Sequence, residues 1–191
     1  MTRIIAGVHG GRRLAAPSGR STRPTTDRVR ESLFSRLDHL GVVEEARVLD
    51  LYAGSGALGL EAMSRGARQV VLVEGHSGAA RVTGANVRTL GLDGQAAQVV
   101  VSDVTRYLRS VFPETTEFDL VFLDPPYDLD EDALAEALMV LMPLLHPDAV
   151  VVVERSTRSP EPTWPAGLER FATKAHGETT LWYTEPAADL Q

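Results

Sequence analysis

Apolar positions along this chain recur first at helical spacing and then in short solid runs. Val29, Leu33, Phe34, Leu37 and Leu40 form one stripe of period 3.6 and predict a helix. Thr25 or Thr26 caps it, Asp27 suits its first turn, and Gly41 ends it. From Arg47 the pattern changes. Val48–Tyr52, Val70–Val73, Val99–Val101, Phe118–Leu123 and Ala149–Val153 are runs of the kind found in strands buried on both faces. Between them, Leu58–Arg65, Ser77–Leu90, Val104–Val111 and Asp130–Leu141 suit helices, the first two closed by Gly66 and Gly91. Arg170–Lys174 and Thr179–Tyr183 flank His176-Gly177 and predict a closing hairpin. Ahead of the first helix, Arg3–Leu14 alternates weakly around Gly7, Gly10 and Gly11, as a short hairpin would, and the stretch from Pro17 to Pro24 reads as a loop. Strand–helix alternation of this kind implies an α/β fold, a mostly parallel sheet with helices on both faces.

Composition bounds the class. A chain of 191 residues, 43% hydrophobic and 24% charged, is one domain with its own core rather than a disordered segment. Without Cys it has no disulfide, no thiolate metal site and no Cys nucleophile. No apolar run approaches the roughly 18 residues of a membrane helix. Met1–Gly7 lacks the apolar core of a secretory signal. The expectation is a cytoplasmic protein without membrane contact.

Charge divides the chain. Residues 1–36 hold eight Arg against Asp27 and Glu31, a local charge of +6, which leaves −13 for the remainder of a chain whose net charge is −7. An acidic body with a basic leading arm points to a polyanion gripped by that arm. Arg12, Arg13, Arg20, Arg23, Arg28 and Arg30 are the candidate phosphate contacts. The expected division is a basic arm over residues 1–24 and a catalytic domain over residues 25–191.

Asp50-Leu51-Tyr52-Ala53-Gly54-Ser55-Gly56-Ala57-Leu58-Gly59 places G-x-G-x-x-G between a predicted strand and helix. Such glycines let a ligand lie against backbone, and the helix N-terminus offers free N–H groups. Glu74, 20 residues after Gly54, ends the next strand and can accept both hydroxyls of a ribose. The pattern signals a nucleoside, either a dinucleotide or S-adenosylmethionine. Asp50 would repel a pyrophosphate but tolerate a cationic methionine end. Only one such unit is present, and no substrate domain of a dehydrogenase fits in the length. Asp103, after the third strand, can accept from an adenine amine or cap the following helix.

Asp124-Pro125-Pro126-Tyr127 follows the strand Phe118–Leu123. Open α/β sheets bind ligands at such carboxyl ends. The Asp124 carboxylate and the Pro125 carbonyl can accept both hydrogens of an exocyclic amine, and Tyr127 offers a flat face for its base. An aromatic amine is a poor nucleophile because its lone pair is delocalised. Two acceptors favour its pyramidal form and expose that lone pair to a sulfonium methyl. No metal is required.

Asp50–Gly59, Glu74, Asp103 and Asp124–Tyr127 resemble the successive motifs of class I S-adenosylmethionine-dependent methyltransferases of the amino-methylating type. The leading segments Arg3–Gly7, Gly11–Leu14, Pro17, Arg23–Thr25 and Asp27–Phe34, with Leu51–Ala62 and Ser64–Ala67, closely resemble the bacterial RsmD family. The resemblance runs from Arg3 to about Tyr183. It implies a Rossmann-like fold with a seven-stranded sheet, a C-terminal antiparallel hairpin and a small N-terminal β-hairpin extension. It also implies methyl transfer to the N2 amine of one guanine in 16S ribosomal RNA, a reading that only the family resemblance supplies. Asp50, Gly54 and Gly56 would then hold the methionine end, Glu74 the ribose and Asp103 the adenine, with Tyr52 and Ser55 in the same cofactor-binding set. Asp124, Pro125 and Tyr127 would hold the target amine and base. The implied partner is 16S rRNA within a small-subunit particle, with no obligate protein partner. Many relatives carry an acid or Asn near position 76, where this chain has His76. Adenine-N6 methylation, or an assembly factor that binds RNA without catalysis, are the alternatives. His9 and His39 read as bystanders, and Trp164 as a base-stacking ring or an edge cap.

Overall fold

The computed structural model describes residues 2–18, 26–113 and 117–188. A two-stranded ribbon, β1 (Thr2–Arg3) and β2 (Arg13–Leu14), leads into helix α1 (Asp27–Leu40). The body then alternates β3 (Arg47–Leu51), α2 (Ala57–Ser64), β4 (Gln69–Glu74), α3 (Ser77–Thr89), β5 (Ala97–Val101), α4 (Val104–Ser110), β6 (Phe118–Leu123), α5 (Glu131–Leu141) and β7 (Leu145–Ser156). It closes with β8 (Leu168–His176) and β9 (Thr179–Pro186). The main sheet runs in the order β5-β4-β3-β6-β7-β9-β8. Its first five strands are parallel, and β9 joins β7 and β8 antiparallel. Strand order reverses between β3 and β6, which opens a crevice at their carboxyl ends.

Side-chain alternation divides the core into two layers. Val48, Val70, Leu72, Leu120, Phe122, Val150 and Val152 face α1, α2, α3 and the ribbon. Leu49, Leu51, Val71, Val73, Val121, Leu123, Val151 and Val153 face α4 and α5. Burying one such side chain contributes about 1.5–3 kcal/mol, so each solid run is needed on both sides.

The helix ends follow the expected chemistry. Thr26, not Thr25, caps α1, its side chain accepting from Val29 N, and Gly41 turns left-handed at φ 70°. The main departure is β7, which is 12 residues long where Ala149–Val153 was expected. His146-Pro147-Asp148 lies where the pairing register with β6 shifts, so its start carries no apolar pattern. Its far end carries Glu154 and Arg155, buried charges that hydropathy reads as the end of a strand.

The leading ribbon is docked by polar groups of α2. Glu61, fully buried, accepts the N–H groups of Ile5 and Ala6 and the guanidinium of Arg65. Ser64 Oγ donates to the Ala6 carbonyl and accepts from His9 N. Gly7, at φ 81°, lies so close that a Cβ there would be 1.7 Å from the Ser64 carbonyl oxygen. Gly7→Ala is therefore expected to lower the unfolding free energy by about 2 kcal/mol or more in urea melts. It should also expose the Ile5 and Ala6 amides to hydrogen exchange. A variant of unchanged stability with those amides still protected would contradict this packing.

Candidate active site

The turn between β3 and α2 is built from beneath. Asp50 shares its sheet face with Val48, so its carboxyl points under α2. There Oδ2 accepts the Gly59 N–H at 2.9 Å. Gly59 is the third residue of α2, and the N-cap, Gly56, offers no side chain, so Asp50 supplies the cap from the strand. A Cβ on Gly59 would meet methyls of Val70 and Leu72 at 2.8 Å and Asp50 Cβ at 3.1 Å, so only glycine allows this approach. Asp50 is 1% exposed. Burial pushes its carboxyl well above the usual range, Asp124 and Glu74 push the same way, and the Gly59 N–H opposes them. What Asp50 holds in this structure is the first turn of α2.

Glu74, at the end of β4, is also buried. Its Oε2 accepts from Gly54 N and its Oε1 from His76 N, both at 2.8 Å. Both oxygens are acceptors, which is what the two O–H donors of a sugar diol need. His76 caps α3, its Nδ1 accepting from Ala79 N, so this position has a structural task. Asp103 caps α4 through Oδ1, which accepts from Arg106 N at 2.9 Å, and the residue is exposed beside the crevice. Tyr52 stands at φ 62° in the first position after β3. Burial pushes its phenol up to about 12, with Asp103 adding to the shift and Arg155 opposing it.

Two contributors from α3 were not anticipated. Thr83 Oγ1 donates to the Gly54 carbonyl at 2.6 Å, and Asn86 Nδ2 donates to the Ser55 carbonyl at 2.8 Å. Their signal was present: polar residues three apart on the buried stripe that holds Ala79, Ala80 and Val87.

Asp124, Pro125 and Tyr127 leave β6 next to this turn, because Leu51 and Leu123 are register partners. Pro125 is buried, Asp124 is half-buried, and Tyr127 is 55% exposed. The Pro126 carbonyl accepts from Leu129 N, and Asp130 caps α5. Arg155, from the buried end of β7, donates through Nη2 to the Leu129 carbonyl at 3.0 Å and pairs with Glu131. That guanidinium braces the loop after Tyr127, a role invisible in the sequence because β7 had seemed to stop at Val153.

Arg30 requires a correction. It is fully buried, its Nη2 donating to the Arg3 carbonyl at 2.8 Å and to Asp27 at 2.7 Å. It fastens β1 to α1 and presents nothing to a phosphate. Arg12, Arg13 and Arg28 are exposed, and Arg20 and Arg23 lie outside the described residues. Trp164 packs its ring against Trp182 and donates to Glu161. Among the described residues, no group of three or more His, Asp and Glu is placed to hold a metal ion, and no helix is long and apolar enough to cross a membrane.

A family model described as conserved hypothetical protein 95 matches residues 2–185. The chain belongs to this family, the RsmD family. A relative in Escherichia coli K12, ribosomal RNA small subunit methyltransferase D, is 37% identical over 178 residues, covering 92% of this chain and 85% of that protein. The Haemophilus influenzae protein of the same name is 36% identical over 159 residues, covering 83% of this chain and 80% of its own length. Among solved structures, E. coli yhhF superposes with a TM-score of 0.82 at 36% identity and covers 98% of this chain and 99% of that one. The RsmD-family architecture seen here is the Rossmann-like class I methyltransferase fold with its C-terminal antiparallel hairpin.

In this RsmD-family chain the buried acid under the turn has a pH signature. Folding raises the proton affinity of Asp50, so its contribution to stability is full below the ordinary carboxylate pKa and is lost as pH rises through the folded value. Asp50→Asn keeps the shape and an acceptor for Gly59 N–H. The wild-type advantage in Tm over this variant is expected to be largest at about pH 4 and to shrink towards about pH 8. An advantage that stays flat or grows with pH would contradict the assignment.

Proposed function

We propose that this chain transfers a methyl group from S-adenosylmethionine to the N2 amine of a guanine in 16S ribosomal RNA, presented in a small-subunit particle. The observation that carries the reading is the adjacency of the glycine turn after β3 and the Asp-Pro-Pro-Tyr corner after β6, side by side where the strand order reverses. The residues fit the donor. Glu74 is oriented for the ribose by its two backbone bonds, Asp103 stands beyond β5 for the adenine, and Tyr52 and Gly54–Gly56 line the turn for the methionine end. When bound, the donor supplies a methyl group on a sulfonium.

The chain's own part is to prepare the amine. The Asp124 carboxylate and the Pro125 carbonyl accept its two hydrogens, and the exposed Tyr127 ring stacks on the base. Both acceptors gain strength as the nitrogen becomes an ammonium, which is acidic and releases its proton to Asp124 or water. A base-paired guanine has its amine engaged, so the target is unpaired or flipped. Arg12, Arg13 and Arg28 supply phosphate contacts, since the body beyond residue 36 is acidic. The names of the family's relatives support small-subunit ribosomal RNA as the substrate class.

The test is nucleoside mass analysis after incubating undermethylated small-subunit particles with labelled donor. N2-methylguanosine is expected, and methyladenosine or no product would contradict the reading. Asp124→Ala should lower kcat by about 100-fold or more while the Kd for S-adenosylhomocysteine changes little. Replacing Arg12 and Arg13 by Gln should reduce the salt dependence of RNA binding by about one unit of slope per residue.

A further inference from the structure

One buried amide touches both the cofactor turn and the leading arm. Asn86 is 2% exposed. Its Oδ1 accepts the Ala15 N–H at 2.8 Å, and its Nδ2 donates to the Ala15 carbonyl at 3.0 Å and to the Ser55 carbonyl at 2.8 Å. Both amide hydrogens are used. The orientation is unambiguous, because a flipped amide would face its oxygen to two carbonyls. Asn86 therefore treats Ala15 as an adjacent strand would, engaging both of its backbone groups, and spends its remaining hydrogen on the turn.

Ala15 directly follows β2, whose Arg13 and preceding Arg12 are exposed. On the other side, Ser55 lies between Gly54 and Gly56, whose left-handed backbone sets the shape of the turn. Thr83, on the same stripe of α3, holds the Gly54 carbonyl. The arm is further seated on α2 through Glu61 and Ser64, and α2 begins at this same turn. The Asn86 amide thus bonds to the turn and to the arm at once.

We infer that Asn86 is a positioning residue that makes donor binding at the turn and RNA binding by the arm mutually dependent. The inference rests on the methyl-transfer reading above. A ligand seated against Gly54–Gly56 fixes the Ser55 carbonyl and with it the Asn86 amide. The amide then holds Ala15 in the register that presents Arg12 and Arg13. Linkage requires the converse, that RNA on the arm tightens the turn around the donor by the same factor.

A merely structural Asn86 would, when lost, weaken stability and both affinities but leave their mutual dependence unchanged. The experiment therefore reads that dependence: the Kd of labelled S-adenosylhomocysteine for the full chain, alone and with saturating undermethylated small-subunit particles at fixed salt. RNA should tighten product binding by about fivefold or more in the wild type. Ala15→Pro removes the arm-side N–H and leaves the turn-side bond in place. It should keep the RNA-free Kd within about twofold of the wild type while the tightening falls by about half or more, because Asn86 keeps only its bond to the carbonyl of residue 15. Asn86→Ala should lose the tightening and also weaken the RNA-free Kd. Thermal melts check that each variant folds, and Ala15→Pro decides the matter if Asn86→Ala does not. Full tightening in Ala15→Pro, or none in the wild type, overturns the inference. A wild type that methylates RNA without such tightening overturns the coupling alone, whereas one that neither binds the product nor methylates RNA overturns the reading beneath it.

Discussion

Asp50 near the end of β3 and Glu74 at the end of β4 lie on the same face of the sheet, both almost without exposure; Asp50 takes an amide hydrogen from the first turn of α2 and Glu74 one from the turn that follows β3. Burying a carboxyl is costly unless hydrogen bonds compensate. Gly59 and Gly54 supply that compensation, and they can do so only because the backbone comes this close, as the blocked Cβ position at Gly59 shows. Acid and glycine are two halves of one device. It fixes the N-terminus of α2 and sets the mouth of the crevice.

The remaining parts of the site are arranged around that turn by parity and register. Parallel pairing of Leu51 with Leu123 brings Asp124 beside it, and the guanidinium of Arg155 steadies the loop that carries Tyr127. The ribbon, α2 and α3 meet on the opposite side, where Glu61, Ser64 and Asn86 hydrogen-bond partly buried arm backbone. The basic arm is thereby built onto the helices that shape the cofactor crevice.

Much of this was readable in the residues. Solid apolar runs marked the five parallel strands, since each must satisfy helices on two faces, and the glycine pattern with Glu74 marked the crevice. What escaped were polar residues that act inward. Arg30 resembled a surface cation by charge, yet its neighbours Val29 and Leu33 turn it into the core, where it holds the Arg3 carbonyl. Asn86 and Thr83 sat on an apolar stripe but bond to a loop about 30 residues away in sequence, which no local period encodes. The ends of β7 were missed because Glu154 and Arg155 are charged and His146-Pro147-Asp148 breaks the pattern, although pairing with β6 and β9 carries the strand through both.

The most direct measurement is a crystal structure of the chain with S-adenosylhomocysteine bound. The account places the sugar hydroxyls on Glu74 and the sulfur facing the space before Asp124 and Pro125, leaving room for a methyl group and an amine about 3–3.5 Å apart. A product molecule seated away from the β3 turn, or one whose sulfur faces away from that corner, would contradict it.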